Sequence, residues 1–313
     1  MSHSVVDERI RGLRPPKPFV DVSRAHGSVF ERERRPGARI EQALTVFLAG
    51  AECPFTCAFC DLWRWTIDGP TPLGALTRQL RGVLDSMDVS AIDRLKLYNA
   101  SNFFDSRAVP SEDVAAIAGI AQSFAALTVE SHASTIGPKT IAFAQQMSGR
   151  LEVAVGLETI HPEACARLNK RLDLRRFDAA AEMLRDNGID LRVFVLLGAP
   201  YIPPPESMDW TLRTVDYAAK RGASVISIIP VRGGNGEMER LQGIGEFVPP
   251  TLRDLEAALD DSLRVAGAVV TADLWDAKNL PSCAQCADRR IARLGRMNLT
   301  GELEPAVECE KCS

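Results

Sequence analysis

The chain has 313 residues, 46% of them hydrophobic and 25% charged, an ordinary globular composition that allows one large α/β domain or one domain with an appendage. Its formal net charge of −4 excludes a general attraction to nucleic acid or to anionic membrane. No apolar run approaches the roughly 18 residues that span a bilayer, and the charged start MSHSVVDERIRGLR lacks a secretory apolar stretch, so a cytoplasmic protein is expected.

Residues 1–40 hold nine Lys/Arg against five Asp/Glu, with Pro15, Pro16, Pro18 and Pro36 among them and no sustained apolar period. They read as an irregular, basic lead-in. From residue 44, apolar β-rich runs alternate with Ala/Leu-rich helical stretches, the pattern of a parallel sheet built from β-α units. Strands are expected at Leu44–Leu48, Arg94–Tyr98, Leu127–Glu130, Leu151–Gly156, Leu191–Leu197 and Val225–Pro230, with a further one at Ala268–Ala272. Helices are expected near 73–86, 111–124, 138–147, 162–187 (two), 206–221 and 251–266. LRVFVLLG is apolar on both faces, as a strand covered by helices should be. Six β-α steps predict a partial (β/α)6 barrel over residues 41–279, with its sites on loops at the C-terminal strand ends. Residues 280–313 form a short cysteine-rich tail with too little apolar sequence for its own core.

The eight cysteines would give roughly 0.2 CxxC pairs by chance, yet three occur, at Cys57/Cys60, Cys283/Cys286 and Cys309/Cys312. Paired thiols at metal-ligand spacing in a reducing compartment point to metal or iron–sulfur sites. Cys165, alone in an expected helix, reads as a small buried hydrophobe. In AECPFTCAFCDLWRW, Cys53, Cys57 and Cys60 lie within eight residues, directly after the first β-strand, with no fourth cysteine nearby. Three thiolates on a 4Fe-4S cluster leave one iron open to a chelating ligand, whereas four would close it. A zinc knuckle or a ferredoxin-like center is the rival reading of the same cysteines.

The CxxxCxxC loop with Phe59 at its aromatic position resembles that of the radical S-adenosylmethionine (SAM) superfamily. The resemblance runs from about residue 44 to 250 and is nearest the branch containing MiaB, NifB and the catalytic subunit of Elongator, through VAVGLETIHPEACARLNK and GIDLRVFVLLGAP. Within it, KLYNASNFFD, VESHAS and VAVGLET look most like the radical SAM subunit of archaeosine synthase, which acts on a modified tRNA base. The resemblance implies a TIM-type radical SAM barrel, a 4Fe-4S cluster on Cys53, Cys57 and Cys60, and SAM bound at the open iron. Electron transfer then releases a 5′-deoxyadenosyl radical. It also implies SAM contacts from Phe59, Asn99 and Ser101, although the usual GGE motif is absent here. Further contacts fall on Glu130 and Ser131, on Glu158, on Lys170 beside Asn169, and on the backbone of Leu197 and Gly198. An external reductant such as flavodoxin or ferredoxin, and a partner enzyme, are implied as well.

Weaker signals complete the reading. The glycine-rich RGGNGEME at 232–239 offers successive N–H groups for an anion or is a plain flexible loop. Trp63 and Trp65 suit core packing, or shielding of a radical. His132 and His161 have no second ligand at metal spacing. In the tail, CAQC and CEKC stand 22 residues apart, so Cys283, Cys286, Cys309 and Cys312 are expected to close a zinc site, with an auxiliary 4Fe-4S cluster as the alternative. Arg289, Arg293 and Arg296 recur at helical spacing, one face that would meet phosphates or solvent. The expected function is radical chemistry on a modified tRNA base. The alternatives are radical chemistry on a small metabolite or peptide, and a non-catalytic metal-stabilized binding or electron-carrier protein.

Overall fold

The computed structural model describes residues 3–265 and 267–312. One sheet of eight strands runs in chain order: β1 (Gly27–Arg35), β2 (Arg39–Phe47), β3 (Arg94–Tyr98), β4 (Ala126–Glu130), β5 (Arg150–Glu158), β6 (Asp190–Leu197), β7 (Val225–Pro230) and β8 (Val269–Ala272). From β2 to β8 every neighbor pair is parallel; β1 folds back antiparallel onto β2. Helices α2 (Ala75–Leu84), α3 (Ser111–Ala121), α4 (Pro138–Ala144), α5 (Pro162–Arg167), α6 (Leu174–Asp186), α7 (Ser207–Lys220), α8 (Glu237–Gly243) and α9 (Leu252–Val265) fill the crossovers. The result is a TIM-type partial barrel with seven parallel strands, one more than the six repeated units expected.

Alternation along the strands gives the barrel two chemically different faces. Leu95 and Leu97 of β3 point outward with Leu44, Val46, Leu127, Val153 and Val193 into one core under the helices. Burying each such side chain stabilizes the fold by about 1.5–3 kcal/mol. The intervening residues face the lumen, and several of them are charged. Arg192 on β6 pairs with Glu33 on β1, and Arg35 on β1 pairs with Glu152 on β5. Strands so far apart in the sheet order can meet only across the interior. Arg94 binds Glu41 at 2.7 Å, and Lys96 binds Glu31 at 2.8 Å and Glu33 at 2.9 Å.

Residues 1–40 are not irregular. They contain α1 (His3–Leu13) and β1, and three of their arginines are held in ion pairs with later parts of the chain or within the lumen: Arg9 with Glu237 at 2.9 Å, Arg14 with Glu52 at 2.7 Å, and Arg35 within the lumen, while Arg11 and Arg32 are exposed. Ile10 of α1 is buried in a second apolar cluster with Ala58, Leu168 and Leu196, so this segment braces the loop after β2. At the other end, α10 (Ala287–Thr300) packs against α9, β8 and β1, across the two edges of the sheet. It stops at Gly301, whose φ of +68° forms a left-handed cap. No helix among the described residues is long and apolar enough to cross a membrane.

Candidate active site

The cysteine loop leaves β2 at the C-terminal end of the barrel and is held by its peptide groups. Ala49 N–H donates to Gln79 Oε1 at 2.8 Å, and Ala51 N–H donates to Thr71 Oγ1 at 2.8 Å. Gly50 is required between them, because a Cβ there would stand 2.9 Å from Thr71 Oγ1. Farther along, Ala58 N–H donates to Leu168 O, and Asn235 donates to Ala58 O at 2.8 Å and Cys60 O at 3.2 Å. Asn169, at φ +56°, donates to Thr56 O. Loops from β5 and β7 therefore fix the segment that carries the thiols.

Burial pushes the Cys57 thiol up to about 12, and it raises Cys60 and Cys53 as well. Bare thiolates are thus disfavored here, and a bound cation would be needed to hold three of them. Two groups already favor negative sulfur: Asn102 Nδ2 donates to Cys53 Sγ at 3.5 Å, and the Lys170 ammonium attracts both Cys53 and Cys57.

The remaining expected site residues collect at the neighboring strand ends. After β3, Ala100 takes φ +53° and the Glu130 carboxylate accepts the backbone N–H groups of Asn99, Ala100 and Ser101. Burial nevertheless lifts Glu130 to about 7. The Asn99 amide and the Ser101 hydroxyl are buried with no hydrogen-bond partner. Leaving such groups unpaired costs about 1–3 kcal/mol each, and sites of that kind call for a polar ligand. At the end of β5 a register shift between Gly156 and Glu158 puts Glu158 at φ +69°, and Lys170 Nζ donates to its Oε1 at 2.6 Å. Burial opposes the charge on Lys170, but Glu158 more than offsets this and raises its pKa.

Other expected contacts are partly committed elsewhere. Ser131 Oγ already shares a hydrogen bond with Thr135 Oγ1 at 2.7 Å, and the Leu197 carbonyl accepts from Val231 N–H. Gly198, at φ +74°, lies against the Pro250 ring, which leaves no room for a Cβ. Phe59 is half-buried and packs on the second cluster beside Ala58.

The 232–239 loop is not a vacant anion cradle, since the Glu239 carboxylate takes the N–H groups of Gly234 and Gly236 and α8 begins there. Trp63 is buried under Arg14, whereas Trp65 is half-exposed against His26. Cys165 is half-buried and its thiol donates to Leu172 O. Burial holds His132 neutral, lowering it to about 3; its ring stacks on Phe55, with Nε2 at 3.0 Å from Lys170 O.

Sequence reading gave no role to Asn102 and Asn235, and named Asn169 only beside Lys170, though all three support the loop. The positive φ of Asn169 is the kind of position that asparagine favors, but spacing alone does not reveal it.

In the tail, the sulfurs of Cys283, Cys286, Cys309 and Cys312 lie within 4.8 Å of one another. Cys283 and Cys309 are 4.0 Å apart, Cys286 and Cys312 3.7 Å. Tetrahedral zinc with bonds of about 2.3 Å sets sulfurs about 3.8 Å apart. A cubane puts each thiolate on a separate iron, bonds directed outward, and spreads the sulfurs farther. Arg290 Nε donates to Cys286 Sγ at 3.2 Å, and the same guanidinium pairs with Glu256. The arginine face expected on this helix is not free. Arg293 is buried and pairs with Asp260 at 2.9 Å, Arg296 pairs with Glu304, and Arg289 donates to Glu308 O.

No protein-family model matches the chain, and no curated protein matches it. Solved structures do. Streptococcus suis SuiB bound to S-adenosylmethionine has a TM-score of 0.53 at 13% identity, over 72% of this chain and 46% of SuiB. An N-terminally truncated Elp3 from the archaeon Methanocaldococcus infernus has a TM-score of 0.52 at 13% identity, over 82% of this chain and 63% of that one. At such identity the likeness establishes the fold. The chain spans less than two thirds of each of these proteins.

Proposed function

We propose that this chain is a radical SAM enzyme with a 4Fe-4S cluster on Cys53, Cys57 and Cys60. The observation that carries this reading is the pair of buried, partnerless side chains Asn99 and Ser101 at a strand end, near three buried thiols that raise one another's pKa. Cys53, Cys57 and Cys60 would hold the cluster, which would supply the electron for reductive cleavage of SAM and so the radical chemistry. Asn99 and Ser101 hydrogen-bond the polar groups of the SAM methionine, and Glu130 positions them through three backbone N–H groups. Glu158 and Lys170 form a fixed ion pair beside the same site. Phe59, Ser131, Leu197 and Gly198 are secondary candidates for SAM contact. An external one-electron donor such as flavodoxin or ferredoxin is required.

The tail, residues 280–313, is proposed as a zinc module, on the strength of its sulfur spacing. The kinship with archaeosine synthase, and with it a modified tRNA base as substrate, rests on the sequence segments alone. The arginine face of the tail helix that this reading invoked is held in contacts within the chain, while Arg11 and Arg32 of the N-terminal segment are exposed; the first of these favors a small molecule or peptide.

The test is electron paramagnetic resonance of the anaerobically reduced protein. SAM should perturb the cluster signal in the wild type, and Asn99→Ala/Ser101→Ala should need much more SAM for the same change at unchanged iron content. An iron content indifferent to Ala at Cys53, Cys57 and Cys60 would overturn the assignment.

A further inference from the structure

We infer that the upper part of the barrel lumen is a chamber for an uncharged planar ring, carried by a small molecule or a peptide. The proposal deepens the radical SAM reading, on which it rests for the reaction but not for binding.

The barrel floor comes first. A TIM-type interior is ordinarily filled by layers of Val, Ile and Leu. Here it holds Arg35, Arg94, Lys96 and Arg192 against Glu31, Glu33, Glu41 and Glu152, four cations and four anions paired across the lumen. Such a floor carries no net charge to recruit an ionic substrate. Its members are mostly buried.

Above the floor stand four rings from opposite sides of the barrel: Phe47 at the end of β2, Tyr98 at the end of β3, Phe194 on β6 and Trp275 after β8. Phe47 and Trp275 meet edge-to-face at 5.0 Å, Tyr98 and Trp275 at 6.1 Å, and Tyr98 and Phe194 at 6.3 Å. None of the four is fully buried, and Trp275 is 47% exposed. Partly exposed aromatic walls in a concave mouth are the usual makings of a small-molecule site. The chamber also adjoins the expected cofactor: Tyr98 directly precedes Asn99, and its carbonyl accepts from Leu48 N–H at the root of the cysteine loop.

Lys96 decides the charge of the guest. Its Nζ lies 5.8 Å from the Tyr98 ring and 6.0 Å from the Trp275 ring. The aromatic wall therefore already has its cation, and the carboxylates of the floor are already paired, so a second cation finds no free partner there. An anion would meet Glu31 and Glu33 around the same ammonium. The hydroxyls of Ser227 and Thr271, 3.3 Å apart, offer neutral hydrogen bonds to a ring edge.

The test is saturation-transfer NMR on the purified full chain. Indole serves as the uncharged ring and n-butylammonium as the aliphatic cation, with no SAM present. Indole should bind saturably and at least tenfold more tightly than the amine. Trp275→Ala, at a half-exposed position that spares the core, should weaken indole at least tenfold, as should Phe194→Leu. Indole binding unchanged in both variants, or a preference for the amine that Glu31→Gln abolishes, would overturn the proposal. A capped Gly-Trp-Gly tripeptide that binds more tightly than indole identifies a peptide-borne ring; equal or weaker binding identifies a free one. Displacement of indole by a structured RNA would overturn the choice of carrier. Measuring 5′-deoxyadenosine separately on the same samples shows whether the chamber or the radical chemistry has failed.

Discussion

Lys170 lies over Gly156 so closely that a Cβ built on the glycine would stand 2.5 Å from Nζ and closer still to the Glu158 carboxylate. The missing side chain is what lets the Lys170–Glu158 pair sit at the end of β5. The atoms in the way are the far ends of two flexible side chains, so Gly156→Ala should fold but displace the pair. A charge-assisted hydrogen bond contributes about 1.5–3 kcal/mol, so SAM affinity should fall by about 10- to 100-fold while thermal stability changes little. Isothermal titration with SAM, alongside a melting curve, checks this; unchanged affinity would show that the pair has no part in SAM binding.

The lumen network should govern acid stability. Burial opposes the charge on Glu152, but Arg192, Arg35 and Arg94 outweigh it and hold its pKa below the usual carboxylate range; Arg192 and Lys96 do the same for Glu33. A depressed carboxylate contributes stability that is fully present above its unfolded value of 4.5 and lost as pH falls through the folded one. Glu152→Gln leaves buried guanidinium groups short of a counter-charge and should cost about 3–5 kcal/mol in urea unfolding at pH 7. The variant should also lose less stability than the wild type on further acidification. A cost under about 1 kcal/mol would mean that the floor is hydrated rather than dry.

Glu130 should act with the opposite sign. Burial raises it from 4.5 to about 7, so its contribution is greatest below 4.5 and is lost as pH rises through 7. Glu130→Gln keeps an oxygen acceptor for the backbone N–H groups and should remove that decline. The difference between wild type and variant should change by at most about 1.4 kcal/mol per pH unit across this window. A pH-independent difference would refute the shift.

Metal removal probes the tail. Cys286 is buried, and its sulfur accepts from Arg290, which is anchored in turn to Glu256 on α9. Arg290→Ala should therefore weaken zinc retention by about 10- to 100-fold against a competing chelator, the usual cost of losing a group that supports a metal ligand. Retention equal to the wild type would show that the four thiols alone set the affinity. About four irons with matching sulfide in the tail, measured in a variant lacking Cys53, Cys57 and Cys60, would replace zinc with a cluster.

Sequence patterning revealed the strands from β2 to β8 because their outward faces are apolar and their helices amphipathic. It missed β1 for a physical reason: in GSVFERERR the inward positions Glu31, Glu33 and Arg35 face a charged lumen, so alternation of apolar and polar residues does not mark the strand. Short α1 was hidden by its charges, of which Arg9 pairs with Glu237 and Asp7 with Arg171 while Glu8 and Arg11 are exposed. The cysteine spacings were legible because CxxxCxxC and CxxC are patterns local in sequence. The orphaned Asn99 and Ser101, the loop supports Asn102 and Asn235, and the aromatic walls from β2, β3, β6 and the segment after β8 depend on which strands meet across the barrel. The arginine spacing at 289, 293 and 296 predicted a helix correctly but not its partners, because Asp260 and Glu304 lie elsewhere in the chain.

The central claim is tested most directly by anaerobic reconstitution with iron and sulfide, reduction with dithionite, and quantification of 5′-deoxyadenosine formed from SAM. The wild type should form it, and replacement of Cys53, Cys57 and Cys60 by Ala should reduce it to the level of the enzyme-free blank while the tail keeps its metal. Formation above that blank by the triple variant, or none by a wild type carrying about four irons on the cysteine loop, would contradict the account.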